Sequence, residues 1–218
     1  MIDINTELDN SEGRKIFARF IRNEFDDSKS ILEKFDILTK LYFEINSIVN
    51  ISALRTVDDV YIKHYLDSIY PHKYFSGDCC DVGCGGGFPT IPLAVINKNK
   101  ITGVDCVGKK LVLIKKSVTE LGLKNLDSIY SRSEDLAKLE KRYDTVCARA
   151  LAETDKALAF CAPLAKDGGK IVLYRTQNQN DKPATDKTLV KYGVSLETII
   201  DYVLPETDIK RRLLVYKK

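Results

Sequence analysis

Residues 81–89, DVGCGGGFP, constrain the fold more than any other part of the chain, because an apolar run ends there in a glycine-rich turn and a helix is expected to open at Pro89 or Thr90. Glycine accepts positive φ and lets the backbone approach a ligand without a Cβ in the way, and a fresh helix N-terminus leaves N–H groups unpaired. A strand, glycine turn and helix in this order belong to an open α/β sheet, where ligands bind at the carboxyl ends of the strands. The chain beyond Gly77 agrees. Short apolar runs alternate with helix-length segments: CCDVG, 89–97, ITGVDC, 107–121, DSIYS, a short polar helix, YDTVCA, 154–165 and KIVLY, followed by a short helix and strands near 196–203 and 211–217. Such alternation builds a parallel sheet. The short connection containing Pro205 joins the final pair, so the last strand is expected to run antiparallel. The expectation is an α/β fold with a mostly parallel seven-stranded sheet and an antiparallel last strand.

Residues 13–75 read as helices instead. Ile31, Phe35, Leu38, Leu41 and Tyr42 recur at three- and four-residue spacings, giving one buried stripe. Thr56 is an N-cap candidate with Asp58 and Asp59 in the first turn, and that helix should run through His64 to about Tyr70, before Pro71. Residues 1–75 are therefore expected to form a helical cap, part of the same domain unit as a core spanning 76–218. A length of 218 residues fits this arrangement better than two independent domains. The polar run TQNQNDKPATDK reads as the most mobile loop.

No stretch of about 18 uncharged apolar residues exists to span a bilayer, and the start MIDINTELDN has acids and no apolar segment of a targeting signal. A cytoplasmic chain with no membrane partner is expected. Cys79, Cys80, Cys84, Cys106, Cys147 and Cys161 lie in hydrophobic or glycine-rich segments and are expected to be reduced, buried thiols. No metal is expected, since there is no C-x-x-C pair and neither His64 nor His72 has a neighbouring ligand cluster. The net charge of +3 does not announce a nucleic-acid partner. Its distribution is more suggestive: IKRRLLVYKK at the end contains no acid, and 107–121 carries Lys109, Lys110, Lys115 and Lys116 against Glu120. Phosphate contacts and ordinary solvated faces both account for these runs.

A dinucleotide fingerprint starting at Gly83 needs glycine or alanine at its sixth place, which is Phe88. The pattern present, Asp81, Gly83, Gly85 and Gly87 as D-x-G-x-G-x-G, instead resembles the first motif of the Rossmann-like class I methyltransferases. The resemblance implies that the loop holds S-adenosylmethionine, with Asp81 and the loop amides at its amino acid end. Asp105, twenty residues after Gly85, closes the run ITGVD where an acid accepts both ribose hydroxyls. Ser133 and Glu134 follow DSIYS, where that family approaches the adenine; a first-turn helix acid interacting with the dipole is the alternative for Glu134, outweighed by the presence of Asp105 and the glycine loop. YDTVCARAL at 143–151 lacks the [DN]-P-P-[FY] tetrad that serves amino-nitrogen transfer. Cys147 lies in a strand pattern with no Pro-Cys loop, against attack on a pyrimidine ring. An acceptor with an in-plane lone pair, such as guanine N7, needs neither device, and positioning is then the main catalytic means.

From Asn50 to about Lys170 the chain resembles the ribosomal small-subunit methyltransferase G family, also called glucose-inhibited division protein B. The resemblance rests on NISALR at 50–55, HYLDS at 64–68, DVGCGGGFP at 81–89, D-x-x-G-K-K from Asp105 to Lys110, and ARA at 148–150. It implies a helical cap on a methyltransferase core, S-adenosylmethionine as cofactor, and methyl transfer to N7 of a guanine in 16S ribosomal RNA, with that RNA or the small subunit as partner; a monomer is expected. The family's cofactor contacts fall on Gly83, Phe88, Ser133, Glu134 and Arg149. Arg149 is also the residue expected to act in positioning at the pocket mouth, on the cofactor, a target phosphate or a guanine acceptor; an ion pair with a helix acid such as Asp155 is the alternative. Lys109, Lys110, Arg175, Arg211 and Arg212 are the candidate RNA contacts. His64 and Asp67 read as a local pair tying cap to core. One departure stands out: the family's Leu-Lys-Gly after the fifth strand is replaced by Leu173-Tyr174-Arg175-Thr176. A methyltransferase for a non-RNA substrate and a non-catalytic RNA-binding assembly factor remain open on the same fold.

Overall fold

Seven strands form one sheet, β1 (Cys79–Val82), β2 (Ile101–Asp105), β3 (Leu126–Tyr130), β4 (Tyr143–Arg149), β5 (Ala165–Thr176), β6 (Ser195–Val203) and β7 (Lys210–Lys217), in the order β3-β2-β1-β4-β5-β7-β6. The computed structural model describes residues 4–178 and 182–218. Strands β1 to β5 pair in parallel, and β7 runs antiparallel to both β5 and β6. The chain lays down β1, β2 and β3 in one direction and returns to place β4 on the other side of β1. The crevice between β1 and β4 is thus the topological switch point, where an open sheet binds its ligands.

Every residue of β1 and β2 is buried, which explains why these strands read as continuous runs rather than alternating ones. The edge strand β6 alternates between exposed and half-buried positions over most of its length. β5 begins earlier than the apolar KIVLY run suggests: Ala165 already pairs with Tyr143, across a register shift, before Lys170 pairs with Thr145. The helices Thr90–Ile96, Val112–Glu120, Ser133–Lys138, Thr154–Cys161 and Asp186–Tyr192 connect the strands.

The N-terminal part comprises α1 (Ile4–Asn10), α2 (Glu12–Glu24) and α3 (Ser28–Val49), followed by a cap helix that begins at Val57–Asp59, widens to a π-helix over Val60–Leu66 and ends as Asp67–Ile69. Thr56 caps it, its side chain accepting the Asp59 N–H. α2 lies so close to this helix that a Cβ on Gly13 would stand 2.6 Å from the Asp58 carbonyl oxygen. The Asp58 carboxylate accepts from Ser11 Oγ at 2.6 Å and the Gly13 N–H at 2.8 Å, tying the two helices at that crossing.

One continuous apolar layer runs from Phe17, Phe35 and Tyr65 of the helical part into Cys147, Val172 and Val215 of the sheet. A second layer covers the other sheet face and includes Leu158 and Cys161. Five of the cysteines are buried as expected, but Cys106 is exposed, because it follows the last residue of β2 and sits in the turn at the mouth of the sheet. Of the polar run expected to be mobile, residues 179–181 lie outside the described residues, and Asp186 and Lys187 already belong to a helix. Among the described residues, no helix is long and apolar enough to cross a membrane.

Candidate active site

The ends of β1, β2 and β3 enclose a cavity of about 350 Å³, lined by Gly83, Asp105, Lys110, Ser133, Glu134 and Leu151 among others. Gly83 takes a φ of +70° and Gly85 a φ of +52°, conformations that favour glycine, so the loop folds over the end of β1. Asp105 stabilises that loop: its Oδ2 accepts the Gly85 N–H at 2.9 Å and its Oδ1 the Val107 N–H at 2.8 Å. Each carboxylate oxygen has a second lone pair left. Ser133 Oγ donates to Glu134 Oε2 at 3.1 Å, at the start of the helix after β3.

The other loop residues lie behind this cavity. A Cβ on Gly87 would press on Ile91 at 2.6 Å and Ile114 at 2.8 Å, so this glycine serves close packing. Phe88 turns toward the cap, stacked on His64 with ring centroids 4.1 Å apart. Asp81 is buried; Thr90 Oγ1 donates to its Oδ2 at 2.5 Å, while Oδ1 has no hydrogen-bond partner.

A second cavity of about 470 Å³ opens between the cap helix and the ends of β4, β5 and β7, lined by Lys63, His64, Asp67, Arg149, Arg175 and Arg211 among others. Ala150 lines both cavities and has a φ of +53°, in the left-handed region that costs a non-glycine residue strain. Arg149 Nη1 donates to Lys63 O at 3.1 Å and to Asp67 Oδ2 at 3.4 Å, and its Nη2 lies 3.1 Å from His64 Nδ1. Arg211 Nε donates to the other Asp67 oxygen at 2.9 Å. Arg175 Nη1 holds the Ala152 carbonyl at 2.7 Å, fixing the turn after β4. Arg149 and Arg211 thus share the Asp67 carboxylate, Lys63 pairs with Asp59 at 2.6 Å, and the lining sets four cations against Asp67, so the cavity is cationic.

Gly83, Asp105, Ser133 and Glu134 therefore meet at the first cavity, while Arg149, Arg175 and Arg211 meet at the second. Lys110 belongs to the first cavity. Lys109 stands in the turn Gly108–Leu111, and Arg212 forms a two-point pair with Asp201 at 2.7 Å across β6 and β7, outside both. The ion pair considered for Arg149 involves Asp67, not Asp155, whose carboxylate accepts from Thr185 instead. His64 and Asp67 do more than brace the cap: both reach Arg149 and line the second cavity. Their three-residue spacing puts them on one helical face, but nothing in a single sequence says that this face opposes the end of β4.

Burial raises the Asp81 carboxyl from an ordinary 3.8 to about 6, against the pull of its Thr90 hydrogen bond and of Arg149. The folded state thus favours the protonated acid. That contribution to stability is complete below the unfolded value and is lost as the pH rises through about 6. The shift corresponds to about 3 kcal/mol. Urea unfolding between about pH 4 and pH 8 should show the unmodified chain losing about 3 kcal/mol relative to Asp81→Asn. Superimposable pH profiles for the two proteins would show that burial does not perturb Asp81.

The model of the rRNA small subunit methyltransferase G family, GidB, matches residues 31–212. A relative of that name from Lactobacillus johnsonii is 36% identical over 216 residues, which is 94% of this chain and 90% of the relative. Another from Clostridium botulinum is 34% identical over 203 residues, 88% and 84% of the two chains. Among solved structures, magnesium protoporphyrin IX methyltransferase from Synechocystis PCC 6803 with bound SAH shares the fold at a TM-score of 0.54 and 19% identity, covering 93% of this chain and 99% of that one. Ser52, His64, Phe88 and Arg149, from four separate sequence motifs, converge on one cluster inside the matched region. On its matched length and its relatives, the chain belongs to the rRNA small subunit methyltransferase G family.

Proposed function

We propose that this chain transfers a methyl group from S-adenosylmethionine to N7 of a guanine in the 16S RNA of the small ribosomal subunit. The observation that carries the reading is the pair of adjoining cavities at the switch point, one built around Asp105 and the other ringed by cations, with Ala150 shared between them. The relatives' names supply the substrate class.

The first cavity suits the cofactor. At about 350 Å³ it falls in the range of small-molecule sites, about 300–1,000 Å³. Asp105 has lone pairs to spare for ribose hydroxyls, and Ser133 and Glu134 offer polar atoms to an adenine. A Cβ on Gly85 would meet nothing within 4 Å, so the loop backbone faces open space there. The unpartnered Asp81 Oδ1 beneath the loop is a buried acceptor of the kind an ammonium group satisfies. When bound, S-adenosylmethionine supplies an electrophilic methyl on a sulfonium.

The second cavity suits the target nucleotide. Arg149, Arg175, Arg211 and Lys63 bind its phosphate and the acceptors on the guanine edge, and the neighbouring Lys109, Lys110 and Arg212 follow the RNA backbone. Guanine N7 has its lone pair in the ring plane, so the protein removes no proton before attack and its task is alignment. The available side chains agree with this. Burial pushes the Cys147 thiol well above its ordinary value, so it supplies no thiolate. Burial, reinforced by the Arg149 charge, pushes His64 down to about 3, leaving it neutral. In this reading cap and core act as one unit, in the cytoplasm and as a monomer.

The test is transfer from labelled S-adenosylmethionine to unmodified small-subunit RNA and to assembled subunits, followed by nucleoside analysis. Label in 7-methylguanosine is expected. Label confined to another nucleoside, or none in RNA while the cofactor binds, would redirect the assignment to a different target.

A further inference from the structure

His64 has no proton to move in such a transfer, yet it is one of the most constrained side chains near the site. Its imidazole lies parallel to Phe88, with 2° between the ring planes, and edge-on to Tyr42 at 5.6 Å. Nδ1 stands 3.1 Å from Arg149 Nη2, and Nε2 stands 2.9 Å from Ser52 Oγ. A guanidinium has donors and no acceptor, so Nδ1 must be bare and accept from Arg149. The proton then belongs on Nε2, which donates to Ser52. Ser52 is itself held, its N–H donating to Asn46 Oδ1 at 3.0 Å while Asn46 Nδ2 donates to the Ser52 carbonyl at 3.1 Å. A relay of fixed groups thus runs from α3 through the cap helix to the end of β4.

We propose that His64 is a positioning residue for the transfer: as a neutral imidazole with its proton on Nε2, it aims the Arg149 guanidinium into the cation-lined cavity without cancelling its charge. The proposal rests on the assignment of that cavity to the target nucleotide. A carboxylate in the same place would hold Arg149 just as well but neutralise it, leaving less attraction for a phosphate or a guanine acceptor. Asp67, among the described residues the one acid paired with Arg149, is looser at 3.4 Å and is shared with Arg211. The groups facing the imidazole all bear on its charge state. Burial and Arg149 from β4 oppose protonation and the Lys63 backbone on its own helix favours it, the Lys63 ammonium being paired with Asp59 at 2.6 Å, while Tyr42 from α3 and Phe88 from the glycine loop pack against the ring. The balance lies with the neutral form.

Two measurements test this. The first is methyl transfer to small-subunit RNA by His64→Asn, His64→Gln and His64→Ala, with cofactor affinity and Tm measured beside it. Asn places a carbonyl oxygen near the Nδ1 position and Gln near the Nε2 position, so only Asn restores an acceptor for Arg149. His64→Ala and His64→Gln are expected to lower kcat by about tenfold to a hundredfold, with His64→Asn recovering most of the rate and cofactor affinity staying within about twofold. Equal loss in the Asn and Gln variants, or a loss in all three that follows Tm, would reduce His64 to a packing residue. The second is 15N NMR of the unmodified protein, which needs no substitution. A neutral Nε2–H tautomer with no titration between about pH 5 and pH 8 is expected. A titration in that interval, or a proton on Nδ1, overturns the proposal. Absence of transfer by the unmodified chain would overturn the target assignment instead, and the tautomer would still be decided by its nitrogen shifts.

Discussion

Replacing Arg149 by alanine is expected to slow single-turnover methyl transfer by about 10²–10³-fold, the usual cost of removing one preorganised donor from a site that acts by charge and alignment. Arg149 lines the second cavity, beside Ala150, and Asp105 and Glu134 line the other. S-adenosylmethionine affinity should therefore change by less than about threefold. The variant should remain folded, since Asp67 keeps Arg211 at 2.9 Å when Arg149 is gone. Arg149→Lys separates charge from shape: one ammonium cannot meet Lys63 O, Asp67 and His64 Nδ1 together. It should recover less than about a tenth of the lost rate. Single-turnover kinetics and calorimetric cofactor titrations check both variants. A fall in cofactor affinity that matches the fall in rate would move Arg149 to the cofactor site.

The parts of this site that the sequence reveals are those whose chemistry is local. The run ITGVDC announces a buried strand with an acid at its end because a parallel strand is apolar throughout and its last residue faces the crevice. Asp105 accordingly lies where its position implies, and Gly83 needs positive φ for a reason its neighbours already suggest. Gly87 and Phe88 look equivalent to Gly83 on paper, yet they serve packing, because a loop that wraps a cavity has an inner and an outer side and a glycine pattern does not say which is which. Asp81 shares this ambiguity: it belongs to the loop motif but lies beneath it, buried against Thr90. Most obscure is the cluster of Ser52, His64, Phe88 and Arg149. Each occurs in a recognisable motif, but their contacts cross 85 residues of sequence between His64 and Arg149. The π-helical turn from Val60 to Leu66, which helps set the direction of His64, leaves no trace in an apolar pattern that suits an α-helix equally well.

Gly83→Leu is expected to abolish measurable S-adenosylmethionine binding, weakening it by at least about a hundredfold, while leaving RNA affinity within about threefold. A Cβ at this position overlaps Leu151 Cδ1, and Leu151 lines the same cavity. Leu151 is a flexible side chain and can move, but both it and Gly83 line the cavity, so its displacement and the new leucine's own branches compete for cavity space. The backbone adds to the difficulty, since φ is +70° and a branched side chain is strained there. The second cavity owes nothing to Gly83: Arg149, Arg211 and Asp67 are held by the cap helix, β4 and β7. Binding of the two ligands should thus separate, with calorimetry showing no cofactor heat and filter binding retaining the RNA. Retained cofactor affinity would place S-adenosylmethionine outside the Asp105 cavity, whereas joint loss of both ligands would mean that the two cavities open and close as one.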